Sequence, residues 1–398
     1  MQIHMLVMYP RLVYDMFASL CTELFGIDRF SPKFNDLLAG ADNKLIETDR
    51  ELFRLSKKAI ELGFQPIFEA TPNDKELLSK IEEEKGGGEW VKELRTFLDE
   101  YGWRTTGSWT VASPSWVEDP SLTLPSIRQY MGQETFKVDE ARKQLIEKRE
   151  NAEKELLPRV PKDKKEYFTK LLRSSQWVPI VEEEHVFYCE NYQNAILRQI
   201  VKEMGLRMAR KGSIEDPFDI QYLLPEEIEW RFISGTSAKK LVDSRKKMVA
   251  EWKRPDPEFC IGNPEKIMDV LMANPMLRMD VGPFPVVRPE LGADLYATAS
   301  SPGVVEGEVC VVIDESDFEK FKQDSILVAP ITSPSWTPLF NMAKAVITDG
   351  GGMLSHAQVV GREHGIPVIA GAKDATAKLK DGMKVRVDGD HGAVYIID

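Results

Sequence analysis

The sequence predicts a multidomain α plus α/β protein. A mainly helical region covers residues 1–275, a proline-rich link covers 276–295, and a compact α/β domain covers 296–398. Three observations carry this reading. Before about residue 275, apolar residues recur at helical spacing. The stretch NPMLRMDVGPFPVVRPELGADL then sets Pro283, Pro285 and Pro289 among glycines, which stiffens and interrupts the chain. After it, short β-branched runs alternate with short helical ones, the texture of an α/β domain.

The helical elements follow in order. In ADNKLIETDRELFRLSKKAIELG, Leu45, Leu52, Leu55, Ala59 and Leu62 keep to one face, and Gly63 marks the stop. Asp139 to Leu157 is dense in charge and in good helix formers, so a long solvated helix is expected. From Asn191 to Lys211, the residues Ile196, Ile200, Met204 and Met208 fall four apart, and this stripe reads as core. Between helices lies YGWRTTGSWTVASPSWVEDP, an irregular run holding Trp103, Trp109 and Trp116. Two readings stand: packing anchors, or the walls of a pocket for a flat apolar ligand.

Bulk properties exclude several classes. The net charge of −12 argues against nucleic acid or an anionic membrane as partner. Cys21, Cys189, Cys260 and Cys310 lie far apart with no CxxC pair, which points to a reducing, cytoplasmic compartment without a zinc cage. Pro10, Arg11 and Asp15 interrupt the apolar N-terminus, so neither a signal peptide nor a membrane span is expected.

In the α/β domain, TDGGGMLSHAQVVGREHGIP places one of only five histidines beside three glycines. The glycines let backbone amides approach a ligand closely. Ser355 suits an N-cap, which puts His356 in the first helical turn, among unpaired N–H groups and at the positive end of the helix dipole. A neutral imidazole there is a nucleophile, and its phosphorylated form is favoured by the amides around it. The alternatives are a flexible loop and a structural histidine. A metal site would need ligands that the segment lacks.

The run TDGGGMLSHAQVVGREHGIPVIAG resembles the phosphohistidine swivelling domain of phosphoenolpyruvate-utilising enzymes, the group of pyruvate phosphate dikinase, phosphoenolpyruvate synthase and rifampin phosphotransferase. The family pattern falls on Thr348, Gly351, Gly352, Ser355, His356, Arg362-Glu363 and Gly365-Ile366-Pro367. SSPGVVEGEV and ILVAPITSPSWTPLF upstream match as well. The resemblance implies that His356 takes a phosphoryl group at a nucleotide site and carries it on. Thr348, Gly351, Gly352 and Ser355 support the phosphate loop, and Arg362 either pairs structurally or touches phosphate. His364 reads as a helix-end residue and His391 as a solvated turn residue. Some relatives carry Arg after the glycine pair, where this chain has Met353.

Residues 1–275 resemble the acceptor side of rifampin phosphotransferase-like proteins and the corresponding subunits of phenylphosphate synthase and 4-methylbenzyl phosphate synthase. The segments that carry this are LLAGADNKLIETDRELFRLS, YGWRTTGSWTVASPSWVEDPSL and VEEEHVFYCENY. No ATP-grasp texture is visible, so ATP and magnesium are expected on a separate nucleotide-binding subunit. The implied acceptor is a small hydroxyl compound, a phenol or aromatic alcohol. The rivals are pyruvate or an antibiotic as acceptor, or a phosphocarrier with no acceptor chemistry. Within this reading, Glu182-Glu183-Glu184-His185 is the candidate general base, Arg104 a candidate phosphoryl clamp, and Trp103 and Trp109 candidate acceptor contacts.

Overall fold

A computed structural model describes residues 2–29, 31–105, 111–252, 289–333, 336–352 and 355–397. The helix Lys44–Glu61 starts where Asn43 accepts the amides of Leu45 and Ile46, and it is closed by Gly63 at φ +80°. Its buried face packs Leu52, Leu55 and Ala59 against Trp90, Leu94, Phe97, Ile127 and Tyr130. Full burial of each such side chain stabilises by roughly 1.5–3 kcal/mol. The indole N–H of Trp90 donates to the Leu55 carbonyl, which removes the one polar cost of burying that ring. A second helical core gathers Tyr14, Phe17, Phe34, Leu37, Leu156 and Phe168.

Two helical expectations need correction. The charged helix runs Lys137–Leu156, but it is not simply solvated. Leu145, Ala152 and Leu156 are buried, and Arg142 and Arg149 donate to the carbonyls of Ala41 and Ala39. The same helix packs against the helix His356–His364. The stripe on Tyr192–Arg210 is also not core along its length. Met208 is fully buried, whereas Ile196, Ile200 and Met204 are 37%, 53% and 37% exposed. Regular spacing showed that these residues share a face, not that another element covers it.

The C-terminal domain is built on eight strands: β1 Leu295–Tyr296, β2 Thr298–Ser301, β3 Val304–Val311, β4 Ile326–Ala329, β5 Ala345–Thr348, β6 Val368–Ala370, β7 Lys384–Asp388 and β8 Ala393–Ile396. Their order is β1-β8-β7-β3-β4-β5-β6-β2. β4, β5 and β6 are mutually parallel and wholly buried, as the unbroken apolar runs ILVA, AVIT and VIA require. β3 joins the two halves, antiparallel to β7 over Val304–Glu308 and parallel to β4 over Val309–Val311. Residues 276–288 of the expected link lie outside the described residues. Its last residues belong to the domain, because Asp294 donates to Val394 and Leu295 pairs with Val394.

The two regions touch along one face. Leu45, from the helical region, lies in the same core as Phe340, Ala357 and Val360. A Cβ placed on Gly365 would lie 3.5 Å from the Ala141 methyl group. These contacts position the site.

Candidate phosphoryl-transfer site

The site is assembled from both regions, starting at the end of β5. Thr348 is buried there, and its hydroxyl donates to the Gly350 carbonyl at 2.7 Å, which turns the chain. Gly351 has φ +108°, and a Cβ on it would meet Ser355 Oγ at 2.9 Å. The turn therefore needs glycine for both backbone and space. The Ser355 amide donates to the Gly352 carbonyl. Ser355 is the N-cap residue, with φ −68° and ψ 154°, and the helix begins at His356. Its hydroxyl does not make the expected cap and has no hydrogen-bond partner among the described residues. Met353 lies outside the described residues.

Two side chains hold the His356 ring. Its Nδ1 lies 3.0 Å from the Thr332 hydroxyl, and its ring stands edge-on to Phe340 at 5.8 Å. Burial, the Arg104 charge and His364 together push its pKa down to about 3. The ring is therefore neutral at pH 7. With Nδ1 engaged by Thr332, the Nε2 lone pair is the available nucleophile. Nε2 is buried without a hydrogen-bond partner among the described residues.

The helical region brings a buried cation, Arg104, within electrostatic reach of the His356 ring. Arg104 is 4% exposed and donates to the Thr48 hydroxyl at 3.0 Å and the Lys44 carbonyl at 3.2 Å. Its guanidinium lies over the Phe187 ring at 5.1 Å. Burial pulls its pKa down to about 10, opposed by the charges of Asp49 and Glu183, and it stays protonated at pH 7. Glu183 is buried rather than part of a solvated run. His185 Nε2 lies 3.1 Å from Glu190 Oε1, across the π-helical turn Val186–Asn191. Glu184 faces elsewhere, toward Glu47 and Lys44. The side chain of Glu182 lies outside the described residues.

The other sequence candidates make contacts of their own. Trp103 donates its indole N–H to the Asp99 carbonyl and packs on Tyr192 at 4.7 Å. Trp116 is core, stacked near Phe97. Trp109 lies outside the described residues. An apolar cavity of about 580 Å³ opens among Val201, Met204, Ile220, Leu223, Ile228 and Phe232, and neither Trp103 nor Trp116 lines it. Arg362 is buried, and its charge acts on Glu363 and Tyr14. His364 ends its helix as expected, beside Phe340, and burial lowers its pKa to about 4. Asp388 accepts from His391 in an exposed turn.

Four site residues escaped the sequence reading: Asp49, Tyr130, Thr332 and Asn341. Tyr130 donates to Asp49 and accepts from the Asn341 amide at 2.7 Å. A signal for Asp49 was present. Thr48 and Asp49 fall on the same buried helix face as Leu45 and Leu52, and polar residues on an apolar stripe mark a site.

Comparison with known proteins agrees with this geometry. Residues 2–179 match the rifampicin phosphotransferase fourth domain, and residues 321–392 match the mobile domain of PEP-utilising enzymes. The chain carries the mobile domain of the PEP-utilising enzyme family. Among curated members of that family, rifampicin phosphotransferase of Bacillus cereus is 26% identical over 81% of this chain and 36% of its own length. Phosphoenolpyruvate synthase of Pyrococcus furiosus is 48% identical over 25% of this chain and 12% of its own length. An uncharacterized phosphotransferase, YvkC of Bacillus subtilis, is 30% identical over 99% of this chain and 47% of its own length. The chain thus spans less than half the length of these relatives. Among the described residues, no helix is long and apolar enough to cross a membrane. No group of three or more His, Cys, Asp or Glu side chains among them is arranged to hold a metal ion.

Proposed function

We propose that this chain is the phosphohistidine-carrying part of an ATP-dependent phosphotransferase. His356 Nε2 takes a phosphoryl group from ATP held with magnesium on a separate, ATP-grasp-type nucleotide-binding subunit. The α/β domain, residues 296–398, then presents that group to a small hydroxyl compound bound against the helical region. The acceptor class is a phenol or aromatic alcohol, and the compartment is the cytoplasm.

The observation that carries this reading is the state of His356. A neutral imidazole sits at N1 of a helix behind a glycine turn, with Nδ1 fixed by Thr332 and Nε2 free. That is the arrangement a nitrogen nucleophile needs. The buried Arg104 supports acceptor chemistry over a bare carrier, since a cation whose charge reaches His356 stabilises charge on a transferring group. Met353 replaces the Arg seen in some relatives, and Arg104 supplies a cation from the other region.

The test uses ATP labelled in turn at the β and γ phosphates, with the nucleotide-binding subunit. Acid-labile, base-stable label on His356 is expected, and none in His356→Ala. Equal label in the alanine variant sinks the proposal.

A further inference from the structure

We propose that Asp49 is the general base that takes the proton from the acceptor hydroxyl. The assignment rests on the phosphohistidine reading of His356 and goes beyond it, since that reading leaves the base unnamed.

Several buried polar atoms around His356 lack a hydrogen-bond partner among the described residues, Ser355 Oγ and His364 Nε2 among them, and three of the set bear on the transfer itself: His356 Nε2, Arg104 Nε and Asp49 Oδ2. They represent the three functions that phosphoryl transfer to an alcohol requires: a carrier nitrogen, a cationic donor and a proton acceptor. Buried polar atoms are normally paired, so three orphans in one neighbourhood mark a place where a polar ligand completes the bonding.

Asp49 is held for this role. Its position on the helix Lys44–Glu61 turns it inward, and it is 3% exposed. Tyr130, on the helix Leu124–Met131, donates to one carboxylate oxygen, and Asn341 donates to Tyr130 from the α/β domain. The other oxygen, Oδ2, remains for substrate. The groups that face Asp49 are Arg104 and Tyr130. Glu183, on the helix Val178–His185, acts on Arg104 as Asp49 does. Burial raises the Asp49 carboxyl to about 7, against the pull of Arg104 and Tyr130, so it accepts a proton near neutral pH. The Asn341 link makes the arrangement conditional on docking: Tyr130 is oriented on Asp49 when the domain that carries His356 is in place. Glu183 and His185, the base candidates from sequence, are engaged instead around Arg104 and Glu190.

The step balances. The acceptor O–H gives its proton to Asp49 Oδ2 as its oxygen forms a bond to phosphorus. The P–Nε2 bond breaks, and its electron pair returns to Nε2. With a proton on Nδ1 facing Thr332, the leaving group is neutral imidazole. The products are the phosphate monoester, free His356 and protonated Asp49, which later yields its proton to water.

The experiment phosphorylates the full chain at His356 with potassium phosphoramidate. Loss of the phosphohistidine is followed by ³¹P NMR from pH 5.5 to 8.5, with water alone and with phenol as the hydroxyl probe. In the wild type the loss rate rises as the carboxyl ionises, through about pH 7. Asp49→Asn, once labelled, holds its phosphohistidine at least tenfold longer, the lower end of a general base contribution of about 10²–10⁴ diluted by solvent attack. Its rate shows no rise through neutrality, whereas Asp49→Glu keeps one. Tyr130→Phe, which removes the donor that lowers the Asp49 carboxyl, moves the midpoint to higher pH. Wild-type loss rates and pH profile in Asp49→Asn, or an unmoved midpoint in Tyr130→Phe, overturn the assignment while leaving the phosphohistidine intact. Absence of label on wild-type His356 overturns both.

Discussion

The side-chain amide of Asn341, in the α/β domain, donates a 2.7 Å hydrogen bond to the buried hydroxyl of Tyr130, in the helical region. It ties the two regions together one helix away from His356. The bond sits in a dry setting, where burial raises the Tyr130 hydroxyl far above its usual pKa. Losing one partner of such a bond costs about 1–3 kcal/mol. Asn341→Ala is therefore expected to loosen the docked arrangement. Amide exchange in the helix His356–His364 should speed up roughly five- to a hundredfold, while the strands β4 to β6 stay protected. Unchanged exchange would show that the bond does not hold the regions together.

Thr332 fixes which ring nitrogen of His356 is free. Thr332→Val removes that partner and leaves volume nearly unchanged. The expected result is a mixture of ring tautomers by ¹⁵N NMR and roughly tenfold slower phosphorylation, about 1.4 kcal/mol. A single Nε2-bare tautomer in the variant would assign the control to something other than Thr332.

Gly351 and Gly361 do different jobs, and their alanine variants should separate. Gly351→Ala places a side chain at φ +108° and against Ser355 Oγ, in the glycine turn just before His356. Labelling of His356 should fall at least tenfold, with stability lowered by about 1–2 kcal/mol. Gly361→Ala drives a methyl group to 1.9 Å from Val368 Cγ2, between the His356–His364 helix and β6. There the main effect is on stability, about 1–3 kcal/mol by overpacking. Thermal melts beside labelling assays distinguish the two.

The buried histidines make the fold acid-sensitive. His356 and His364 are lowered to about 3 and about 4, in both cases chiefly by burial. A group with a depressed pKa contributes stability above its unfolded pKa, near 6.5, and loses it as pH falls toward the folded value. Asp49 and Glu363 are raised to about 7 by burial and act in the opposite sense, losing stability as pH rises from about 4 to 7. His364→Asn, away from the reacting nitrogen, should therefore flatten the fall in Tm between pH 6.5 and 4. An equally steep fall in the variant would show that His364 does not drive it.

Much of this was legible in the sequence, for identifiable reasons. The glycine turn, the helix start at His356 and the α/β texture of the last hundred residues follow from local chemistry: glycines before an N-cap serine, and short β-branched runs alternating with helical ones. What local chemistry could not supply was the other half of the site. Arg104 was visible only as an arginine in a tryptophan-rich loop, and its approach to His356 depends on how two regions dock. Asp49 was concealed within a helix whose apolar residues drew attention away from the polar ones on the same face. The stripe of Ile196, Ile200 and Met204 misled in the converse way, because periodicity defines a face without saying what covers it. Trp116 resolved to packing for an equally non-local reason, its place beside Phe97.

The central claim is that His356 Nε2 is the phosphoryl carrier. The most direct measurement is ¹⁵N–³¹P NMR on the ¹⁵N-histidine-labelled full chain after reaction with phosphoramidate, beside His356→Ala. One phosphorus signal coupled to Nε2 of His356, absent from the alanine variant, is the result this account requires. Phosphate on Nδ1 of His356, on another histidine, or undiminished in His356→Ala would contradict it.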